Sequence, residues 1–224
     1  MTRGTHAGDG GPHVPPRDVR GKRALIVAGA RALFIQSYER TTMDAIAERA
    51  TVSKATLYAH FASKEDLFVA LVEDEVAALR QASAAIGERT DLSVAERLTL
   101  FGTQFLELTL KSDNLVLLRV LIGSGQRFPV LAQRVIDSVR APICSAIVQL
   151  LDQAVAAGEL ACDDRHSAAD FFIRIINGGV RIDCLLDDRL LPTPAQRRDH
   201  VQLCVRAFGL LFQPQGGPRN ATEV

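Results

Sequence analysis

The stretch Thr41–Lys64, TTMDAIAERATVSKATLYAHFASK, holds Ser53, Lys54, Thr56, Tyr58, His60 and Lys64, side chains that all donate hydrogen bonds and include no acid. Such a set suits phosphate oxygens and the acceptor-bearing edges of bases. Ser53 adds a hydroxyl where a helix would open, and the free amides of a helix start already favour a phosphate. Catalytic patterns are thinner. Gly123-Ser124-Gly125 lacks the G-x-S-x-G form and has no strand before it, Cys162 with His166 makes two metal ligands without a third, and Gly8-Asp9-Gly10-Gly11 adjoins neither strand nor helix. No catalytic residue, metal site or cofactor is expected.

The elements that must position these donors follow from caps and apolar spacing. Ile26, Ala30, Leu33 and Phe34 recur on one helical face, which predicts a first helix from Val19 to about Ser37. Thr41-Thr42-Met43-Asp44 has the form of a capping box, with a Thr hydroxyl accepting from the Asp44 amide and the Asp44 carboxylate reaching back. A short helix over Thr42–Ala50 should follow it. Ser53 is an N-cap for a second short helix over Lys54–His60, and Ser63 caps a third of about twenty residues. Two short helices joined by three or four residues, with small Ala47 at their crossing and Val52 and Leu57 as buried anchors, describe a helix-turn-helix. Taken one at a time, the donors have ordinary explanations: Tyr58 as a core aromatic, His60 as a satisfied polar neighbour, Lys54 and Lys64 as solvated charges. Caps, small crossing residue and basic face occurring together carry the DNA-binding reading.

Further along, the pattern predicts helices at Ser93–Lys111, Asn114–Gly123, Val130–Ala157, Ser167–Leu186 and Pro194–Phe212, so the fold class is all-α. Pro142 should end or kink the third of these. Alternating apolar residues around Asn177-Gly178-Gly179 also fit a hairpin, but a lone two-stranded hairpin is marginal and Phe172, Ile176, Gly179, Ile182 and Leu186 keep helical spacing. The helix is preferred. Its glycine pair costs about 1 kcal/mol per residue relative to alanine, which suggests that another backbone approaches closely there.

At these residues the sequence resembles the TetR/AcrR family of bacterial transcriptional regulators. The resemblance rests on Ala30, Leu33, Phe34, Tyr38, Thr41-Thr42-Met43, Ile46-Ala47, Ala50, Val52-Ser53-Lys54, Thr56-Leu57-Tyr58, His60-Phe61 and Ser63-Lys64-Glu65. It covers about residues 23–69, under a quarter of the chain. It implies a three-helix DNA-binding domain followed by an all-helical ligand-binding and dimerisation domain. By motif position, Thr42, Tyr58 and Lys64 would hold phosphates, while Lys54, Thr56 and His60 would lie toward the major groove. Ser37 and Thr51 stand where the family commonly has glycine, and a left-handed backbone at either would carry about 1–2 kcal/mol of strain. Arg127-Phe128-Pro129 and Ala157-Gly158-Glu159-Leu160 look like the AefR-type branch of the family.

The formal charge is zero, 26 Lys+Arg against 26 Asp+Glu, which at first argues against a polyanionic partner. Divided at Lys64, however, residues 1–64 hold ten bases and five acids, a net of +5, and the remainder 16 against 21, a net of −5. Arg17, Arg20, Lys22 and Arg23 precede the first helical face as a candidate arm along the backbone or into the minor groove, although basic tails are often merely solvated. The expected organisation is a flexible tail over 1–18, the DNA-binding domain over 19–64, a ligand-binding and dimerisation domain over 65–213, and a flexible C-terminal tail over 214–224. Cys144, Cys162, Cys184 and Cys204 lack ligand or C-x-x-C spacing and read as reduced, mostly buried thiols in a cytoplasmic protein. The N-terminus has no signal-peptide core, and no apolar run approaches the ~20 residues that span a bilayer.

In the second domain, Phe101, Phe105, Phe128 and Cys144 are candidate pocket walls and Gln104, Arg119 and Gln126 candidate polar contacts, with core packing the alternative. No tyrosine or tryptophan follows Tyr58, which disfavours an aromatic cage for quaternary ammonium and favours a small, mainly apolar effector. Val201, Cys204, Val205, Phe208, Leu211 and Phe212 make a wide apolar stripe that suits a homodimer through the last two helices, or else completes the monomer core. The function expected is a sequence-specific regulator, a ligand-released repressor on a pseudo-palindromic operator. The alternative is a small-molecule-binding or protein-partner module that keeps the helix-turn-helix only as scaffold.

Overall fold

The computed structural model describes residues 16–214, with side chains from residue 21 onward except that of Ser124. Among them are nine α-helices, one short 3₁₀ turn and no strand. The chain divides into two compact units, Met1–Phe68 and Val69–Val224. The tails expected at 1–18 and 214–224 fall outside the described residues, apart from Pro214 and from residues 16–18, which are helical.

In the first unit, α1 (Pro16–Ser37) begins three residues before the expected Val19, since proline at a first helical position gives up no needed donor. Helices α2 (Met43–Arg49) and α3 (Lys54–His60) follow, and α4 (Lys64–Gly87) starts in this unit and continues into the second. Seven-residue helices are unstable alone, so α2 and α3 depend on packing. Ile26, Ala30 and Phe34 of α1, Ile46 of α2, Leu57 of α3 and Leu67 and Phe68 of α4 are almost wholly buried, each of the isoleucines, leucines and phenylalanines contributing roughly 1.5–3 kcal/mol. Gly29 lets α1 and the end of α2 touch: a Cβ there would lie 3.3 Å from the Ala50 backbone nitrogen.

The α2 cap differs from the form expected. Thr42, not Thr41, caps the helix by accepting from the Ala45 amide, while the Thr41 hydroxyl donates back to the Ser37 carbonyl at 2.6 Å. The Asp44 carboxylate does not reach back, because Lys54 holds it from the next helix.

Tyr38 closes this core. Its ring lies 5.1 Å from that of Phe34 and edge-on to Phe68 at 5.4 Å, and its hydroxyl donates to Glu65 Oε1 at 3.1 Å. Burial first, then the Glu65 charge and hydrogen bond, push the phenol well above its ordinary pKa. The native state therefore keeps a proton that the unfolded chain releases above about pH 10, so this contribution is complete below that pH and lost progressively above it. Urea midpoints measured at pH 9 and pH 11 are expected to fall more for the natural chain than for Tyr38→Phe. Equal falls would show that Tyr38 is not the group responsible.

The second unit contains the rest of α4 with α5 (Val94–Thr109), α6 (Ser112–Ser124), α7 (Pro129–Ala156), α8 (Arg165–Leu186), the 3₁₀ turn Asp188–Leu190 and α9 (Pro194–Leu211). Ser93 with Glu96 and Thr193 with Gln196 form capping boxes at α5 and α9. Phe101, Phe105, Ile147, Leu151, Phe172, Ile176, Val201 and Phe208 are buried together in one core. Helix α7 runs through Pro142 rather than ending there, with Leu131 and Val135 buried before it and Ile143 and Ile147 after it. Burial on both sides offsets the one hydrogen bond that proline removes.

Two stretches of this unit pack differently within the chain from what their spacing suggests. Asn177-Gly178-Gly179 is helical, but a Cβ at either glycine would meet no described atom within 4 Å. The close approach is instead at Gly102, where a Cβ would lie 3.0 Å from Val201 Cγ1 and 3.1 Å from Ile176 Cδ1, so α5 nests against α8 and α9. The α9 stripe is mostly used within the chain as well: Val201, Cys204, Val205 and Phe208 are core, Phe212 packs on it, and Leu211 alone is exposed. All four cysteines are free, three buried and Cys144 partly so, and burial raises each thiol pKa, which keeps it protonated and unreactive.

Candidate nucleic-acid interface

Helix α3 is held by a small set of contacts. Ser53 Oγ accepts from the Thr56 amide at 3.1 Å and lies 2.8 Å from the Thr56 hydroxyl, so the two hydroxyls form one polar corner at the helix start. Leu57 is fully buried, and the Phe61 amide closes the helix onto the Leu57 carbonyl at 2.9 Å. The turn before it contains Thr51 at φ 55, the left-handed backbone that a β-branched residue adopts only under strain. Ser37 has no such conformation.

With Leu57 facing inward, Ser53, Lys54 and Tyr58 are exposed and Thr56 and His60 partly so. Tyr58, a core aromatic on one sequence reading, is 52% accessible. Lys54 Nζ sits 2.7 Å from Asp44 Oδ2 of α2, and this hydrogen bond, with the Asp44 charge, raises the Lys54 pKa. Thr42 is exposed at the start of α2.

Lys64 is placed differently from the other donors. Its ammonium points to the carbonyls of Tyr38, Glu39 and Thr41 at 3.1, 3.5 and 3.4 Å and lies 4.4 Å from the centre of the Tyr38 ring. It thus fastens the turn after α1. Of the arm residues, Arg23 lies over the Phe61 ring at 5.7 Å, whereas the side chains of Arg17 and Arg20 fall outside the described residues.

Asp44, expected only as the acid of a helix cap, is instead the partner of Lys54. Its carboxylate adds a negative charge to the exposed face, and a DNA phosphate reaching Lys54 would have to displace it. Asp44→Asn is expected to tighten operator binding a few-fold at low salt, with the gain fading as salt rises. Weaker binding at every salt concentration would mean that the Asp44–Lys54 pair aligns the lysine for DNA.

The residues expected to line an effector pocket lie in several settings within the second unit. Phe101 and Phe105 stack at 6.1 Å inside the core, and Gln104 is half-buried with no described donor for its buried Oε1. Arg119 donates to the Leu185 carbonyl at 2.8 Å and to the Cys184 carbonyl and Asp188 carboxylate at 2.5 Å, which makes it a clamp on the end of α8. Gln126 is exposed and Phe128 half-buried beneath Arg127. Cys144, alone among the seven, lines an open groove of about 720 Å³ between α7 and α8, with Arg140, His166, Asp170, Phe171 and Arg174. An arginine that the sequence reading passed over, Arg181 of α8, is half-buried among apolar neighbours; its signal was a charge inside the run Val180-Arg181-Ile182.

Comparison with known proteins resolves the class. Residues 26–71 match the family model for bacterial regulatory proteins of the tetR family, and residues 96–213, more than half of the chain, match the AefR-like transcriptional repressor C-terminal domain. The chain belongs to the TetR family. It is a DNA-binding transcriptional regulator. The Flavonoid-responsive Regulator FrrA is 30% identical, with 87% of this chain and 98% of that one aligned at a TM-score of 0.67. A TetR regulator from Agrobacterium tumefaciens is 20% identical over 90% of this chain and 97% of its own, and its TM-score of 0.69 shows the shared fold. The transcriptional activator FasR of Mycolicibacterium smegmatis is 41% identical over 71 residues, 30% of this chain. That match spans only about a third of FasR, 32% of its length. TetR-family regulators bind DNA as homodimers, and no helix among the described residues is long and apolar enough to cross a membrane.

Proposed function

We propose that this TetR-family member acts in the cytoplasm as a homodimeric repressor that releases a pseudo-palindromic operator when a small effector binds its second domain. It works by binding and not by catalysis. The observation that carries the DNA-reading part is the outward face of α3, where Ser53, Lys54, Thr56, Tyr58 and His60 surround a buried Leu57 and no acid occurs within the helix. Thr42 at the start of α2 joins them as a phosphate contact. Lys64 acts through the turn after α1 rather than as a free cation. Half-sites would lie about one helical turn apart, ~34–36 Å, or a multiple of it.

Support for a dimer through α8 and α9 is apolar surface left exposed after the monomer core is complete. Phe171, Ile182 and Leu186 project from α8, and Leu203, Leu210 and Leu211 from α9, with Leu186 80% accessible. Gly178 and Gly179 lie on the same exposed side of α8 and leave room for a second copy.

The test is footprinting of the full chain on its own upstream DNA at moderate salt, with Lys54→Ala and Tyr58→Phe beside it. A symmetric footprint that both substitutions weaken, in chains that still melt normally, is expected. A module retaining the helix-turn-helix as scaffold would leave no footprint. Unchanged binding by both variants would reject the assigned face.

A further inference from the structure

Arg181 lies on α8 one turn after Asn177, whose Oδ1 accepts from the Thr109 hydroxyl of α5 at 3.0 Å, and one turn before Leu185, whose carbonyl is held by Arg119 of α6. Contacts to α5 and α6 therefore bracket it. Its Nε is buried without a hydrogen-bond partner, and no described carboxylate pairs with its guanidinium. The adjoining residues on α8 include the half-buried aliphatics Val180 and Leu185. Burial alone lowers its pKa below the usual arginine value, with no contribution from a nearby charge.

The other inward-facing arginines are provided for. Arg97 has Gln153 and Glu159, and Arg119 has two carbonyls and Asp188. Arg97, Arg165 and Arg197 also have a buried Nε without a hydrogen-bond partner, but Arg165 pairs with Asp152 and Arg197 lines a cavity of about 400 Å³ that Asp183 also lines. Arg181 has no such anion. A guanidinium partly withdrawn from water, with its Nε buried and no described counter-charge, gains from an anion that supplies one.

We propose that the effector carries a carboxylate on an apolar body and that Arg181 is the residue that binds this carboxylate. The inference rests on the reading of the second domain as effector-binding and specifies the chemistry recognised there. The planar fork of arginine matches a carboxylate through two parallel hydrogen bonds, which an alcohol of equal length cannot reproduce. Pairing also relieves the desolvated charge, so a carboxylate gains over its neutral analogue beyond what apolar contact gives both.

The experiment uses the full chain with its operator, titrated with straight-chain carboxylates of six to sixteen carbons, simple aromatic carboxylates, and the alcohol corresponding to each. Operator release and melting temperature are read for the natural chain and for Arg181→Met, which keeps most of the apolar volume. At least one carboxylate is expected to bind the natural chain about tenfold or more tightly than its alcohol, and Arg181→Met to bind the two alike. The unliganded variant should melt at or above the natural chain, since it loses an unpaired charge. A panel without carboxylate preference, a variant that keeps the preference, or a variant melting several degrees lower would each overturn the assignment. Equal release by acids and alcohols in both proteins would overturn Arg181 alone and leave the effector reading intact. No release by any compound would overturn both.

Discussion

Leu57→Ala is expected to abolish operator binding while leaving most of the helical structure in place. Leu57 is the only buried side chain of the seven-residue α3, and its carbonyl receives the amide that closes the helix. Truncating a fully buried leucine costs about 2–5 kcal/mol. A helix this short has little internal cooperativity to absorb the loss, so α3 should fray and scatter the donors around it. The second unit has a separate core, so circular dichroism should retain most of its signal and show an early, small melting step. Operator affinity within about threefold of the natural chain would mean that α3 is held by its caps and not by Leu57.

Arg97→Ala is expected to be the more damaging change in the second unit. Arg97 is 4% accessible, donates to Gln153 Oε1 at 2.6 Å and pairs with Glu159 Oε1 at 3.5 Å. Glu159 also accepts from the Val94 amide at 2.7 Å, so this network ties the start of α5 to the end of α7 and the turn after it. Removing one partner of a largely buried pair leaves the other uncompensated and costs about 3–5 kcal/mol. Arg97→Met should recover much of that by filling the space without a charge. Urea unfolding of both variants checks this, and a loss below about 1 kcal/mol for Arg97→Ala would place the pair among weak surface bridges.

The short helices were legible because their boundaries are written in local chemistry. Ser53 caps α3 as expected, α2 is capped one residue later than the expected box, at Thr42, and apolar residues at helical spacing select the buried sides. Contacts between distant residues were not legible in the same way. Nothing in the spacing of Asp44 and Lys54, ten residues apart on different helices, announces that they pair. Lys64 read as a free cation, since the carbonyls it meets lie 23 to 26 residues earlier. Likewise, an amphipathic stripe such as Val201–Phe208 states that a surface will be covered but not by what, and here most of it is covered by the chain itself. Glycine is ambiguous for a related reason, because Gly102 meets Val201 and Ile176 within the chain while Gly178 and Gly179 meet no described atom, and sequence treats them alike.

The DNA-reading helices α2 and α3, seven residues each, owe their order to a handful of side chains supplied by α1 and the start of α4. An operator that grips only the ordered form adds about 2.7 kcal/mol when present at a hundred times its dissociation constant. Proteases act on the opened form, so copies on the chromosome should outlast those adrift in the cell. Occupancy would then set the lifetime of the regulator as well as the output of the genes it controls.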